Sequence, residues 1–375
     1  MITRIIFIFI ININFILLIP KLSGIPVDFT KERLFLFFAI FILYVFGLKD
    51  IKKYQYVQSF FLINLVVFFY ALINVYLYKS SSATYLEIFN LLFMIVIYGL
   101  IKEININELD FITKIQCFFL LLYATCFAYL KLYVGMSNGL FVNTIYYQIS
   151  LIPFILLLSK RYMYISLFLL VFIGFNGLIS GKRTVIILSL ISIFFLIVKN
   201  LNLNLKLNLK NVLSFLLPIA LIIPFFLTFD FSSTSSSRIT NLDLADDARF
   251  HLLFSYINKA YYFNFFDTFF GHGIINSSKD ILLTNQVHND FFEIHYRLGL
   301  FGIVLYLTLL IAIYRAGILV INDGFNLSVF KFSFILFVML SWSSMLLFIP
   351  SYYNVFVIFW FSIIFSHRNI RAVNV

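Results

Sequence analysis

Long apolar runs, broken by short charged or polar clusters, follow one another along almost the whole chain. A helix needs about 20 predominantly apolar residues to cross a bilayer, and on that measure the pattern predicts about twelve spans. They run approximately over 3–20, 34–48, 57–78, 86–101, 115–134, 145–158, 164–179, 185–198, 212–229, 298–321, 332–349 and 353–366. The expected fold is all-α: a polytopic integral membrane protein of about 12 transmembrane helices with one large external loop. Three regions follow: an N-terminal bundle of about nine spans (1–229), the loop (230–297), and C-terminal helices with a short tail (298–375). The first run follows Arg4 as a signal peptide would. Its exit, Pro20-Lys21-Leu22, offers no small-residue cleavage site, so it reads as a retained span.

One connection breaks the rhythm. Residues 199–211, KNLNLNLKLNLKN, carry Leu at every second position, which suggests an extended, interfacial linker. No internal repeat of the transporter kind is visible.

Composition narrows the class. The chain is 62% hydrophobic and 11% charged, against roughly 45–50% and 25% for a soluble domain. That excludes a soluble enzyme, a disordered chain and a secreted disulfide scaffold. The net charge of +11 would raise nucleic acid as a partner in a soluble protein. Here the cations serve better as topology signals, and no nucleic acid is expected. With the N-terminus inside, 15 Lys and Arg fall in cytoplasmic segments and six in short external loops, which places both termini in the cytoplasm. Cys117 and Cys126 lie nine residues apart in one apolar run, on opposite helix faces, and cannot pair.

The segment 230–297 differs from everything around it. It holds eight of the carboxylates and four of the five histidines: His251, His272, His288 and His295. Ionisable groups gathered in one external loop point to chemistry or recognition there. Residues 231–237, FSSTSSS, read as a flexible lead-in, and Asp246-Asp247 opens a helix-like stretch to about Phe266. Gly271-His272-Gly273 marks a tight turn, and His288 to Gly302, HNDFFEIHYRLGLFG, runs straight into the tenth span. His288 and His295 share a helix face, with Glu293 well round from it. No HxxxH or HExxH and no third ligand is present, so no metal site is assigned. Caps and hydrogen bonds at helix ends explain His272 and His295 about as well as a site does.

A second candidate lies outside the loop. Ser180-Gly181-Lys182-Arg183-Thr184 is a very short external turn facing the same side. A turn that short pre-places the Arg183 guanidinium, and converging arginines bind a diphosphate bidentately.

These pieces together resemble the O-antigen polymerase and O-antigen ligase superfamily. The run His288-Asn289-Asp290-Phe291-Phe292-Glu293, with Gly299 and Gly302 after it, is similar to that family's HN-x-x-L…G-x-x-G signature. Gly271-His272-Gly273 is similar to its upstream G-x-G, and Arg249 in DDARFHLL to the arginine that opens its loop. The 180–184 turn resembles its S-x-S-R segment. The motif-level likeness covers roughly residues 174–310. Arg297 stands where many members carry an acid, and Phe292 where they carry Leu.

The resemblance implies a glycosyltransferase of the bacterial cytoplasmic (inner) membrane, working on its outer side without cofactor or metal. Its donor would be an undecaprenyl-diphosphate-linked glycan. A flippase and a chain-length regulator would be partner proteins beside the lipid bilayer. The leaving diphosphate gains charge, so fixed cations suit its transition state; Arg183 and Arg249 are the candidates, with Arg238 and Lys182 as further substrate contacts. His288 is the candidate base for the acceptor hydroxyl. Asn289, Glu293, His272 and Asp247 complete the substrate-binding set, although a helix-start role explains Asp247 more simply. Polymerisation of repeat units is the expected reaction, with ligation to lipid A–core as the alternative. A lipid-linked oligosaccharide flippase fits less well, because it would need charges inside the spans.

Overall fold

The computed structural model describes residues 104–135, 144–201, 260–272, 289–343 and 350–373, together with Val66, Phe69, Tyr70, Ile73, Ile101, Phe254 and 256–258. Every regular element among them is a helix. In chain order these are α1 (Ile106–Leu132), α2 (Tyr146–Ser150), α3 (Ile152–Leu158), α4 (Met163–Ile179), α5 (Arg183–Leu201), α6 (Phe265–Phe270), α7 (Asp290–Val320), α8 (Gly324–Ser343) and α9 (Pro350–Val373). Among the described residues α1, α7 and α8 are long and apolar enough to cross a membrane, and α4 and part of α9 are shorter apolar helices. The protein is helical and membrane-embedded. The expected spans at 3–20, 34–48, 86–101 and 212–229 lie outside the described residues, apart from Ile101, and only four positions of 57–78 are described.

Where the helices differ from the expected spans, local chemistry gives the reason. The 145–158 run is two short helices, with Pro153 in the first turn of α3, where its missing N–H costs nothing. Helix α1 starts nine residues before the expected span, because Asn105 and Glu108 form a reciprocal capping box. Helix α8 starts at Gly324 rather than 332, so Lys331 lies within a helix and not in a connecting segment. The Asp323 carboxylate accepts the Asn326 N–H at 2.8 Å and fixes that start. Leu201 still belongs to α5, so the period-two stretch begins helical. Cys117 and Cys126 are both free thiols on α1.

The core is aromatic and aliphatic. Trp360 of α9 stacks on Phe334 at 4.2 Å and donates its indole N–H to Ser333 at 2.7 Å, joining α9 to α8. Phe154 of α3 meets Phe359 of α9 edge-on at 5.2 Å, and Phe195 of α5 stacks on Phe332 of α8 at 4.1 Å. Some polar groups buried between helices are bonded across them. The Asn176 amide of α4 donates to the Ala124 carbonyl of α1 and to Gln148 of α2, at 3.1 and 3.0 Å. Such bonds tie helices together where water is absent.

Cross-links fix which helix ends share a side. Arg161 reaches Asp110 at 3.1 Å and Lys160 reaches Asp323 at 2.8 Å, while Asn326 bonds His367 at 3.0 Å. The starts of α1, α4 and α8 and the ends of α7 and α9 therefore lie at one end of the bundle. Helix α4 carries the chain about 25 Å from there, so the α4–α5 turn lies at the opposite end. So does the start of α7, where the Asn289 side chain bonds the Trp342 carbonyl at the end of α8. The two parts of the expected site thus share one end of the bundle.

Candidate functional site

The 180–184 turn is held by its own backbone. Ser180 ends α4, and Gly181 takes a left-handed conformation (φ 66°) that favours glycine. The Lys182 N–H bonds the Gly177 carbonyl at 3.0 Å and the Gly181 N–H the Leu178 carbonyl at 3.0 Å. That pair of bonds is a Schellman closure. The Lys182 carbonyl then accepts the first bonds of α5, from Val185 and Ile186. Lys182 places its ammonium 5.7 Å from the Tyr146 ring centroid, a cation–π contact. Arg183 is the first residue of α5. A cation at the positive end of a helix runs against the usual preference, and Lys182 and Arg183 both stand at that end of α5.

The second group is built on α7. Asn289 caps it, its side-chain oxygen accepting from the Phe291 and Phe292 N–H groups at 3.0 and 3.3 Å. Its amide N–H goes to the Trp342 carbonyl at 3.0 Å. The geometry therefore gives Asn289 a capping and tethering role. Asp290 and Glu293 stand in the first turn, which suits the helix dipole. Glu293 accepts from the Arg297 guanidinium at 2.5 Å, with both side chains buried. The Arg297 charge is thus balanced by a carboxylate one turn earlier.

Gly299 interrupts α7 with φ 66° and ψ −170°, a conformation open to glycine alone. The expected loop boundary at 297/298 falls inside this helix, and the break in the chain is the Gly299 kink. Helix α6 ends against that kink. A Cβ on Gly299 would overlap the Phe269 carbonyl, and one on Gly271 (φ 76°) would lie 2.5 Å from the Arg297 carbonyl. Two backbones cross there, closer than any side chain allows. The Tyr70 hydroxyl lies 2.9 Å from the Phe270 carbonyl and 2.8 Å from that of Leu298, bridging both strands of the crossing. The His272 N–H donates to the Tyr296 carbonyl at 2.8 Å and extends the seam.

Beside the crossing is a packed aromatic cluster. His295 hydrogen-bonds the Tyr256 hydroxyl through Nδ1. His272 sits 3.5 Å from the Asp267 carboxylate and 4.4 Å, edge-on, from the Phe263 ring. Phe292 packs on Tyr256 and Tyr296 on His272. Burial, and then the neighbouring His272, hold the His295 imidazole below its ordinary value. His272 and His295 are thus members of one cluster.

Of the expected site residues, His272 lies in the α6–α7 seam, Glu293 pairs with Arg297 beside it, and Asn289 caps α7 and is tethered to the end of α8. Lys182 and Arg183 sit on the α4–α5 turn at the same end of the bundle. His288, Arg249, Arg238 and Asp247 lie outside the described residues. Tyr256, Asp267 and Tyr70 were not foreseen. Asp267 had a signal, because Asn264 accepts its N–H at 2.8 Å in an N-x-x-D cap. Tyr70 had none, lying 200 residues from its partner Phe270. No group of three or more His, Cys, Asp or Glu that would hold a metal occurs among the described residues. No family model matches the chain, and no curated protein matches it either.

Proposed function

We propose that the protein polymerises undecaprenyl-diphosphate-linked oligosaccharide units into surface polysaccharide on the outer side of the bacterial inner membrane. In this reading about twelve spans cross the membrane, and the end carrying Lys160, Arg161 and Asp323 faces the cytoplasm. The other end, with Lys182, Arg183 and the α6–α7 seam, faces out. The observation that carries the reading is the Gly271–Gly299 crossing. Two pieces of the family-like signature, far apart in sequence, meet backbone to backbone, and both glycines are needed there. The described spans support the same reading against a transporter. Their buried polar side chains are neutral; buried Asp, Glu and Arg occur only at 290–297, and His367 lies at the opposite end.

The chemistry is a glycosyl transfer. The acceptor hydroxyl oxygen bonds the anomeric carbon, and the bond from that carbon to the diphosphate oxygen breaks. The electron pair leaves with the lipid diphosphate, whose growing charge meets Arg183, Lys182 and Arg249. His288 takes the acceptor proton. Glu293, Arg297 and Asn289 hold the first turns of α7 in place.

The test is the surface polysaccharide of cells lacking this protein, complemented with wild type, Arg183→Ala, Arg249→Ala or His288→Ala. Polymerisation predicts core plus a single unit in the deletion strain and in all three variants. Loss of every unit from the core, with long polymer on the lipid carrier, would assign ligation instead. A normal ladder from all three expressed variants would remove the site assignment.

A further inference from the structure

Helix α6 and the turn before it carry an unusual surface. Tyr261 and Tyr262 are each 84% exposed, and Phe265 and Phe266 are 75% and 57% exposed. Phe269 and Phe270 are also exposed. Phe265 pairs with Phe269 and Phe266 with Phe270, with ring centroids 4.6 and 4.8 Å apart. These four positions form one face of the helix. Asp267 and Thr268 lie on the other, where Asp267 approaches His272. The element is short and amphipathic, with an apolar face of rings alone.

Its height is set by the crossing with Gly299. Just before that kink α7 carries Glu293, His295 and Arg297; just after it, residues 300–314 contain no charge. Leu300, Phe301 and Val304 are exposed there, as lipid-facing residues are. Gly299 therefore marks the level at which α7 enters the hydrocarbon, and α6 is pinned to it by backbone contact. Aromatic rings at that level are the usual anchors of membrane proteins, and an amphipathic segment lying there buries its apolar face at the headgroup–acyl boundary.

We propose that residues 261–270 form an interfacial anchor, with the phenylalanine face in the outer-end leaflet and Tyr261-Tyr262 at the headgroups. The partner is the lipid surface itself. A glycan is the less suitable occupant, because the four phenylalanine rings offer no hydrogen-bonding group. The anchor would hold the His272–His295 cluster at the surface of the leaflet. It does not depend on the polysaccharide reading.

The test uses the full chain in phosphatidylethanolamine–phosphatidylglycerol vesicles, with Cys117→Ala and Cys126→Ala. Nitroxide labels are placed at Tyr262→Cys and, separately, Phe266→Cys. Collisions with lipid-soluble oxygen are compared with those of a water-soluble nickel chelate. The expected result at 266 is strong oxygen broadening with loss of the nickel effect, and at 262 a position between the two. Dominant nickel contact at either label would put the element in water and overturn the proposal. Exclusion of both reagents would place it under protein and overturn it equally. The second label decides the matter if the first variant does not fold.

Discussion

At the Asp323 end of the bundle, Lys160 and Arg161 pair with carboxylates of other elements within reach of solvent; at the Gly299 end the Glu293–Arg297 pair lies within one helix and is buried. Lys160–Asp323 and Arg161–Asp110 have side chains from 30% to 63% exposed. Glu293–Arg297 has 6% and 5%. Exposed pairs contribute about 0–1 kcal/mol, whereas removing one member of a buried pair costs roughly 3–5 kcal/mol. The first end is thus a set of weak, adjustable ties between connections. The second is a rigid block of glycine crossing, buried ion pair and cap, of the kind that preorganises chemistry.

The largest effect should come from breaking that block at its crossing. Gly299→Val adds a β-branched side chain where the backbone is left-handed and meets the Phe269 carbonyl. Neither strand can give way, and no folded protein is expected by size-exclusion chromatography in detergent. A monodisperse Gly299→Val protein would show that the two backbones do not cross. Next is the buried pair. Arg297→Leu alone should cost about 3 kcal/mol or more in thermal unfolding, and Glu293→Leu with Arg297→Leu much less, since no charge is then stranded. Equal losses in the single and double variants would mean that the pair is not isolated from water. Smaller still is Asn289→Ala, expected to cost about 1 kcal/mol for the lost cap. Its ladder should be weakened but present; a complete loss at normal abundance would give Asn289 a direct part in the reaction.

The smallest effect belongs to the other end. Burial raises the Asp323 carboxyl, but the Lys160 hydrogen bond and charge and the Asn326 and Phe325 N–H groups outweigh it, leaving it below its ordinary value. The folded carboxyl thus ionises at lower pH than the unfolded one. Its contribution is present above the ordinary carboxylate range and disappears as pH falls through the folded value. Asp323→Asn should flatten that acid-side slope by losing a small contribution, about 1 kcal/mol or less, at pH 7 and almost none at pH 3, which unfolding curves from pH 3 to 7 would read. An unchanged slope would remove Asp323 from the tie.

Legibility from sequence follows the range of the interaction. Apolar runs announced α1, α4, α5, α7, α8 and α9, because hydropathy is local. Starts were displaced where a cap such as Asn105 or Asp323 extended a helix into polar sequence. One helix-like stretch was expected to run to about Phe266, yet the chain turns at Tyr261-Tyr262 and Asn264 caps a new helix that continues to Phe270. The glycines at 271 and 299 were visible as separate motifs, but their meeting was not. Nothing local says that Phe269 and Gly299 touch, or that Tyr70 seals the contact. Likewise the pairing of Arg297 with Glu293 was readable as four-residue spacing, whereas its burial depends on α6 and α8 packing around it.

The most direct test of the central claim is biochemical. Lipid-linked units that accumulate in deletion cells are extracted and incubated with the purified full chain in vesicles. Products are resolved by length, alongside free undecaprenyl diphosphate. The account predicts longer glycans on the carrier, one lipid diphosphate released per new linkage, and loss of both with Arg183→Ala or His288→Ala. No lengthening and no released diphosphate from an active-state, folded wild-type preparation would contradict it.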